Sequence, residues 1–200
     1  MSQLPTVAEI TVLHQAYAPT RAAFEKVHTH CGIVWRIAEQ LLAGPGGAGL
    51  DADLVRAGCL LHDIGVYRLY DDEGRLDGAN YVRHGLLGAE ILRKEGLPEV
   101  LHRFCSCHTG VGLTRHDVLS QDLPIPVDDY LPESAEERLV MYADKFHSKS
   151  NPPRFLRSAT FAAKIRRFGE DKVVAFDALM AEFGVPELGP FEAEFGHRVS

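Results

Sequence analysis

The stretch from Asp51 to Gly65 restricts the fold more than any other part of the chain. Leu54, Val55, Ala57, Gly58, Leu60 and Leu61 leave it apolar almost all round, and a helix without a polar face belongs in the centre of a bundle. Asp51 is placed to cap its N-terminus. Its other end is polar, because Leu60-Leu61 runs directly into His62-Asp63 and then Ile64-Gly65, where the helix is expected to stop. Burying an imidazole and a carboxylate without partners is costly through desolvation. Two arrangements avoid that cost. Both groups can bond to backbone as a helix C-cap, or a cation can take the imidazole lone pair and the carboxylate charge together.

The rest of the chain repeats apolar residues mainly at three- and four-residue intervals, with no convincing alternating strand pattern. The fold class is therefore all-α, a helical bundle read as a single domain over 1–200. Helices are predicted over about 6–17 and, after Pro19, about 20–42, the latter stopped by Gly44-Pro45-Gly46-Gly47. Shorter helices are predicted over about 84–95 and 98–108. Thr114 to Pro132 reads as ordered loop with one weak helical turn. Ser134-Ala135-Glu136-Glu137 matches a capping box opening a helix over about 135–149. Helices over about 153–168 and 170–183 follow, packed on the core, and then a Pro- and Gly-containing tail with no evident chemistry.

Composition narrows the function classes. The net charge of −7 gives no general attraction for nucleic acid or anionic lipid, so neither partner is required. No apolar run approaches the ~20 residues of a membrane span. Met1-Ser2-Gln3-Leu4-Pro5 lacks the basic and apolar blocks of a secretory leader, so a cytoplasmic location is expected. Cys31, Cys59, Cys105 and Cys107 form no CxxC pair and read as free, buried thiols. Ten histidines stand out, since neutral imidazole is the commonest side-chain metal ligand.

Partners for His62-Asp63 are available. His30 sits on or beside the buried stripe Ile33, Val34, Ile37, Ala38 and Leu41 of the second helix, and Asp144 closes the apolar run Val140-Met141-Tyr142-Ala143. Three helices can bring two imidazoles and two carboxylates to one point, a mixed nitrogen and oxygen set suited to a six-coordinate metal. His28 lies about 200° from His30 around the helix, which argues against both entering one site. His14, His102, His116 and His197 show no ligand pattern and are expected at the surface or in loops. His147, three residues after Asp144, lies on a neighbouring face, where it can line a pocket or donate a proton.

With these residues in place the sequence resembles the HD-domain metal-dependent phosphohydrolases. Their ordered signature of a His, a His-Asp doublet and a distant Asp falls on His30, His62-Asp63 and Asp144, and Ile64-Gly65 matches the HDIG form. The resemblance covers about residues 20–150 and implies a buried metal centre in an HD-domain bundle. His84, opening a helix with Gly88 four residues on, and His108, ending the next, resemble the added ligands of two-metal members, sharing Asp63 as the bridge. Alternatively, both are merely helix-end residues. Lys145 follows Asp144 as a Lys often does in this family. With Lys149 and Arg154 it is a candidate for holding a phosphate.

The resemblance implies one or two divalent ions (Mn, Fe, Mg or similar), with the histidines favouring a transition metal. The activity implied is hydrolysis of a small phosphate ester or anhydride, with a nucleotide preferred, by attack of a metal-bound hydroxide. Asp63 and His62 are the expected catalytic pair. The chain lacks the Gly-Tyr-Pro triad of the cyclic-di-GMP-cleaving subgroup, and Val66 departs from its Gly-Lys continuation, which disfavours that substrate. Two other classes remain open on ligands alone: an HD-fold di-iron oxygenase, and a non-catalytic ligand-binding module.

Overall fold

A computed structural model describes residues 3–200. Met1 and Ser2, where the leader reading begins, lie outside the described residues. Helix α1 (Val7–Tyr17) is opened by a full capping box between Thr6 and Glu9, and α2 (Arg21–Leu42) by the Thr20 hydroxyl, which accepts from Ala23 N. Asp51 caps α3 (Ala52–Leu61) as the sequence predicts, accepting from Asp53 N and Leu54 N. The helix stops at Leu61 rather than near Gly65, because the chain tightens into a 3-10 turn over Ile64–Leu69. Val55, Cys59, Leu61 and Ile64 are fully buried at the bundle centre.

Helix α4 (His84–Lys94) lies where expected. The helix predicted over 98–108 is broken into a 3-10 turn, Glu99–Leu101, and the short α5 (His102–Ser106). Within the loop-rich segment, α6 (Arg115–Ser120) is capped by Thr114 and Asp117. Ser134 caps α7 (Ala135–Asp144), but the box is half made. Glu137 turns instead to Glu133 N at 2.8 Å and Arg103 Nε at 3.0 Å.

The largest departures follow Asp144. The helix predicted to reach 149 ends at Asp144, and the one predicted from 153 begins at Ser158. Between them β1 (His147–Ser148) and β2 (Arg154–Phe155) pair antiparallel, with His147 opposite Phe155. After α8 (Ser158–Ile165), α9 (Glu170–Phe183) and α10 (Gly189–Phe195), the tail adds β3 (Arg198–Val199) parallel to β2. The polar run Ser148-Lys149-Ser150-Asn151-Pro152 cannot continue a buried helix, whereas pairing lets Phe155 bury completely. Against the core, Phe176 and Phe183 of α9 pack on Tyr142, whose hydroxyl donates to Gly184 O at 2.6 Å. No helix among the described residues is long and apolar enough to cross a membrane.

Candidate metal centre

Five elements deliver six donors to one place. α2 supplies His30, the end of α3 supplies His62 and Asp63, α4 opens with His84, the turn after α5 carries His108, and α7 closes with Asp144. Asp63 lies between two groups of imidazoles. Its Oδ2 is 3.3 Å from His30 Nε2 and 3.6 Å from His62 Nε2, while Oδ1 is 3.4 Å from His84 Nε2 and 3.6 Å from His108 Nε2. Asp144 Oδ1 joins the first group, 3.0 Å from His30 Nε2 and 3.6 Å from His62 Nε2. His30, His62, Asp63, His84 and His108 are all buried, and Asp144 is partly so.

Backbone carbonyls decide which nitrogen three of these rings offer. His62 Nδ1–H donates to Cys59 O at 2.7 Å, His84 Nδ1–H to Tyr81 O at 2.6 Å and His108 Nδ1–H to Cys105 O at 2.7 Å. A carbonyl can only accept, so the proton stays on Nδ1 and the Nε2 lone pair faces the centre. Burial lowers the His84 pKa to about 3 and moves His108 in the same direction, so both rings are neutral. Yet His84 Nε2 and His108 Nε2 stand 3.0 Å apart. Two unprotonated nitrogens at that separation present lone pair to lone pair, and a shared cation removes the conflict. Bonds of about 2.1 Å to one ion place neighbouring donors roughly 3 Å apart. The donor set therefore fits a metal.

The carboxylates are in the form a metal requires. Burial by itself would raise the Asp63 pKa, but the Lys149 ammonium holds it well below the usual carboxylate range. Burial acts the same way on Asp144 and is overcome by the Lys145 ammonium. Lys145 Nζ donates to Asp144 Oδ2 at 2.6 Å and to His108 O at 2.9 Å, bracing both ligand groups. Lys149 Nζ donates to Asp63 Oδ2. Although burial opposes the Lys149 charge, Asp63 raises its pKa well above the ordinary lysine value.

Residues 27–149 match the sequence profile of the HD domain. The chain belongs to the HD-domain family. An uncharacterised protein of Methanocaldococcus jannaschii is 38% identical over 122 residues, which cover 60% of this HD chain and 65% of that protein. A tRNA (cytidine(56)-2'-O)-methyltransferase of Picrophilus torridus is 40% identical over 98 residues, covering 49% of this chain and 25% of the methyltransferase. The match thus spans less than two thirds of either relative. Among solved structures, the HD domain of the L. monocytogenes phosphodiesterase PgpH superposes with a TM-score of 0.53 at 19% identity, covering 86% of this chain and 87% of that one. Its complex with cyclic-di-AMP gives the same TM-score and covers 90% and 89%. At that identity the likeness is one of fold.

Beside this HD centre lies a cavity of about 660 Å³. Asp144, Lys145 and Lys149 belong to both. Arg154, expected to bind phosphate, does not reach it. Alternation along β2 turns Phe155 inward and leaves Arg154 exposed, its Nε–H donating to Ser150 Oγ at 3.3 Å. The cavity instead gains Lys26 from α2, Lys164 from α8 and Arg167 from the turn after it. These are exposed cations with no local signature. Of the histidines expected at the surface or in loops, His14 is placed otherwise. His14 is fully buried, its Nε2–H donating to Leu60 O at 2.7 Å and its Nδ1 accepting from Tyr67 Oη at 2.8 Å. His197 reaches His147, which itself contacts His30.

Proposed function

We propose that this HD protein is a metal-dependent phosphohydrolase acting on a small phosphate ester or anhydride, with a nucleotide as the preferred substrate class. The observation that carries this reading is the two-sided Asp63, with one carboxylate oxygen toward each pair of Nε2 lone pairs and the whole centre beside a cavity. Divalent metal would be held by His30, His62, Asp63, His84, His108 and Asp144, and would supply Lewis-acid polarisation of a phosphoryl oxygen and activation of water near neutral pH. No side-chain nucleophile is then needed. Burial raises the pKa of all four thiols, keeping Cys31, Cys59, Cys105 and Cys107 in the unreactive thiol form.

The remaining residues handle charge. Lys149, partly buried against Asp63 and lining the cavity, is positioned to turn its ammonium to a phosphate when the carboxylate is otherwise engaged. Lys145 holds Asp144 and His108 in place. The cavity walls include Val27, Val66, Leu113, Leu123 and Phe161, an apolar lining that suits a nucleobase, and its volume lies within the roughly 300–1,000 Å³ typical of ligand sites. The phosphodiesterase neighbour with cyclic-di-AMP bound supports a nucleotide in this fold.

The test is metal analysis of protein purified without chelators, coupled to a phosphatase and phosphodiesterase screen run with and without O₂. We expect retained metal and anaerobic release of phosphate or nucleotide, both lost in Asp63→Ala. Full activity in Asp63→Ala rejects the assignment. Turnover that consumes O₂ with iron-loaded protein replaces the hydrolase with an oxygenase.

A further inference from the structure

Three imidazoles of the centre are oriented by carbonyls within four positions of themselves, but His30 is not. It sits inside α2, where the neighbouring carbonyls are already used by the helix. Its Nδ1 meets the Nδ1 of His147 at 2.8 Å. If His30 is to offer Nε2 to a metal, its proton must be on Nδ1, and His147 must accept at Nδ1. His147 then carries its own proton on Nε2, which lies 3.0 Å from His197 Nδ1. The three rings are stacked in series, with centroids 5.2 Å apart at 27° for the first pair and 5.2 Å at 19° for the second. The series leads from a fully enclosed ligand through buried His147 to half-buried His197.

The small sheet sets the spacing of this series. His147 is held in β1 opposite Phe155, and Phe155 in turn pairs with Val199 of β3, two residues after His197. The tail is fastened there by Ser200 N donating to Phe155 O at 3.0 Å and Val199 N to Glu192 Oε1 at 2.9 Å. Phe155 also packs on both outer rings, at centroid distances of 5.1 and 6.0 Å.

We infer that His147 and His197 are positioning residues which fix the tautomer and orientation of His30, so that the C-terminal tail helps to set the metal affinity of a centre lying elsewhere in the chain. This rests on the metal-centre reading above. Each link donates to the next ring, and a polarised series of this kind makes the ligating Nε2 a better donor.

Mn²⁺ affinity of chelator-treated protein tests the inference, read by titration with metal stoichiometry and with the melting temperature of the metal-free protein as a folding control. His147→Leu should weaken Mn²⁺ binding about 10–100-fold, the range found when an outer partner of a ligating histidine is lost. His197→Leu should weaken it in the same direction. His197→Asn, whose side-chain oxygen can accept where Nδ1 did, should restore affinity. A purely structural role predicts matched losses of melting temperature with unchanged affinity, and that result overturns the inference. If His147→Leu fails to fold, the His197 pair decides, and equal affinity in wild type, His197→Leu and His197→Asn overturns it. Failure of wild-type protein to bind Mn²⁺ or Fe²⁺ rejects the underlying metal centre instead.

Discussion

Gly65, two residues beyond the His-Asp doublet, offers a severe test of how the centre is assembled. A Cβ at this position would lie 2.0 Å from His84 O, 2.3 Å from Gly88 N and 2.8 Å from Gly88 Cα. All three are backbone atoms of α4, so no side-chain rotation relieves the clash. Restoring ordinary contact requires α4 to retreat by more than about 1 Å, and overpacking of this kind typically costs about 1–3 kcal/mol. α4 also carries His84, whose Nε2 is 3.4 Å from Asp63 Oδ1. A displacement of about 1 Å exceeds the roughly 0.2 Å tolerance of a metal–ligand bond. Gly65→Ala should therefore unfold at lower urea concentration, by at least about 1 kcal/mol, and should weaken binding at the His84–His108 side by at least about 10-fold while sparing His30, His62 and Asp144. Gly32→Ala is the control. Nothing lies within 4 Å of a Cβ there, so this change within α2 should be neutral or stabilising by up to about 1 kcal/mol. Urea denaturation followed by circular dichroism, with metal titration, gives both readouts. A Gly65→Ala protein with the wild-type midpoint and wild-type metal stoichiometry would refute the close-contact argument.

Other perturbations address separate parts of the molecule. His14 is held neutral by burial, with its pKa lowered to about 4 from an ordinary 6.5. Between those values the unfolded chain binds a proton that the folded protein refuses, so stability falls as pH drops from 6.5 to 4, by at most about 3 kcal/mol for this group. His14→Gln, which can still accept from Tyr67 and donate to Leu60 O, should reduce the slope of stability against pH in that window by about one proton; an unchanged slope contradicts the assignment. Lys149→Met should leave metal affinity undiminished, because it removes a cation competing for Asp63. It should also lower kcat/KM for a phosphorylated substrate by about 10–100-fold, as expected for the loss of a charge-assisted hydrogen bond. Parallel losses of metal and turnover would instead make Lys149 a support of the ligand shell.

The sequence alone determined the helical class and singled out the residues proposed as donors, because both are written in short stretches of chain. Apolar residues at helical spacing place Ile33, Ile37 and Leu41 inside, and an apolar helix running into His62-Asp63 forces a compensated polar pair whatever surrounds it. Helix ends were legible where a cap lies within a few residues, at Asp51 and Ser134. Tertiary structure decided the rest. Only the assembled fold shows that Asp63 faces imidazoles on both sides, that Arg154 points away from the cavity, and that His14 is a buried brace between α1 and the end of α3. The same holds for the His30–His147–His197 series, whose contacts join residues 117 and 50 positions apart. Such pairings leave no periodic trace, since their energy comes from excluding water between surfaces brought together by folding. A residue's neighbours along the chain do not encode which distant surface it will meet.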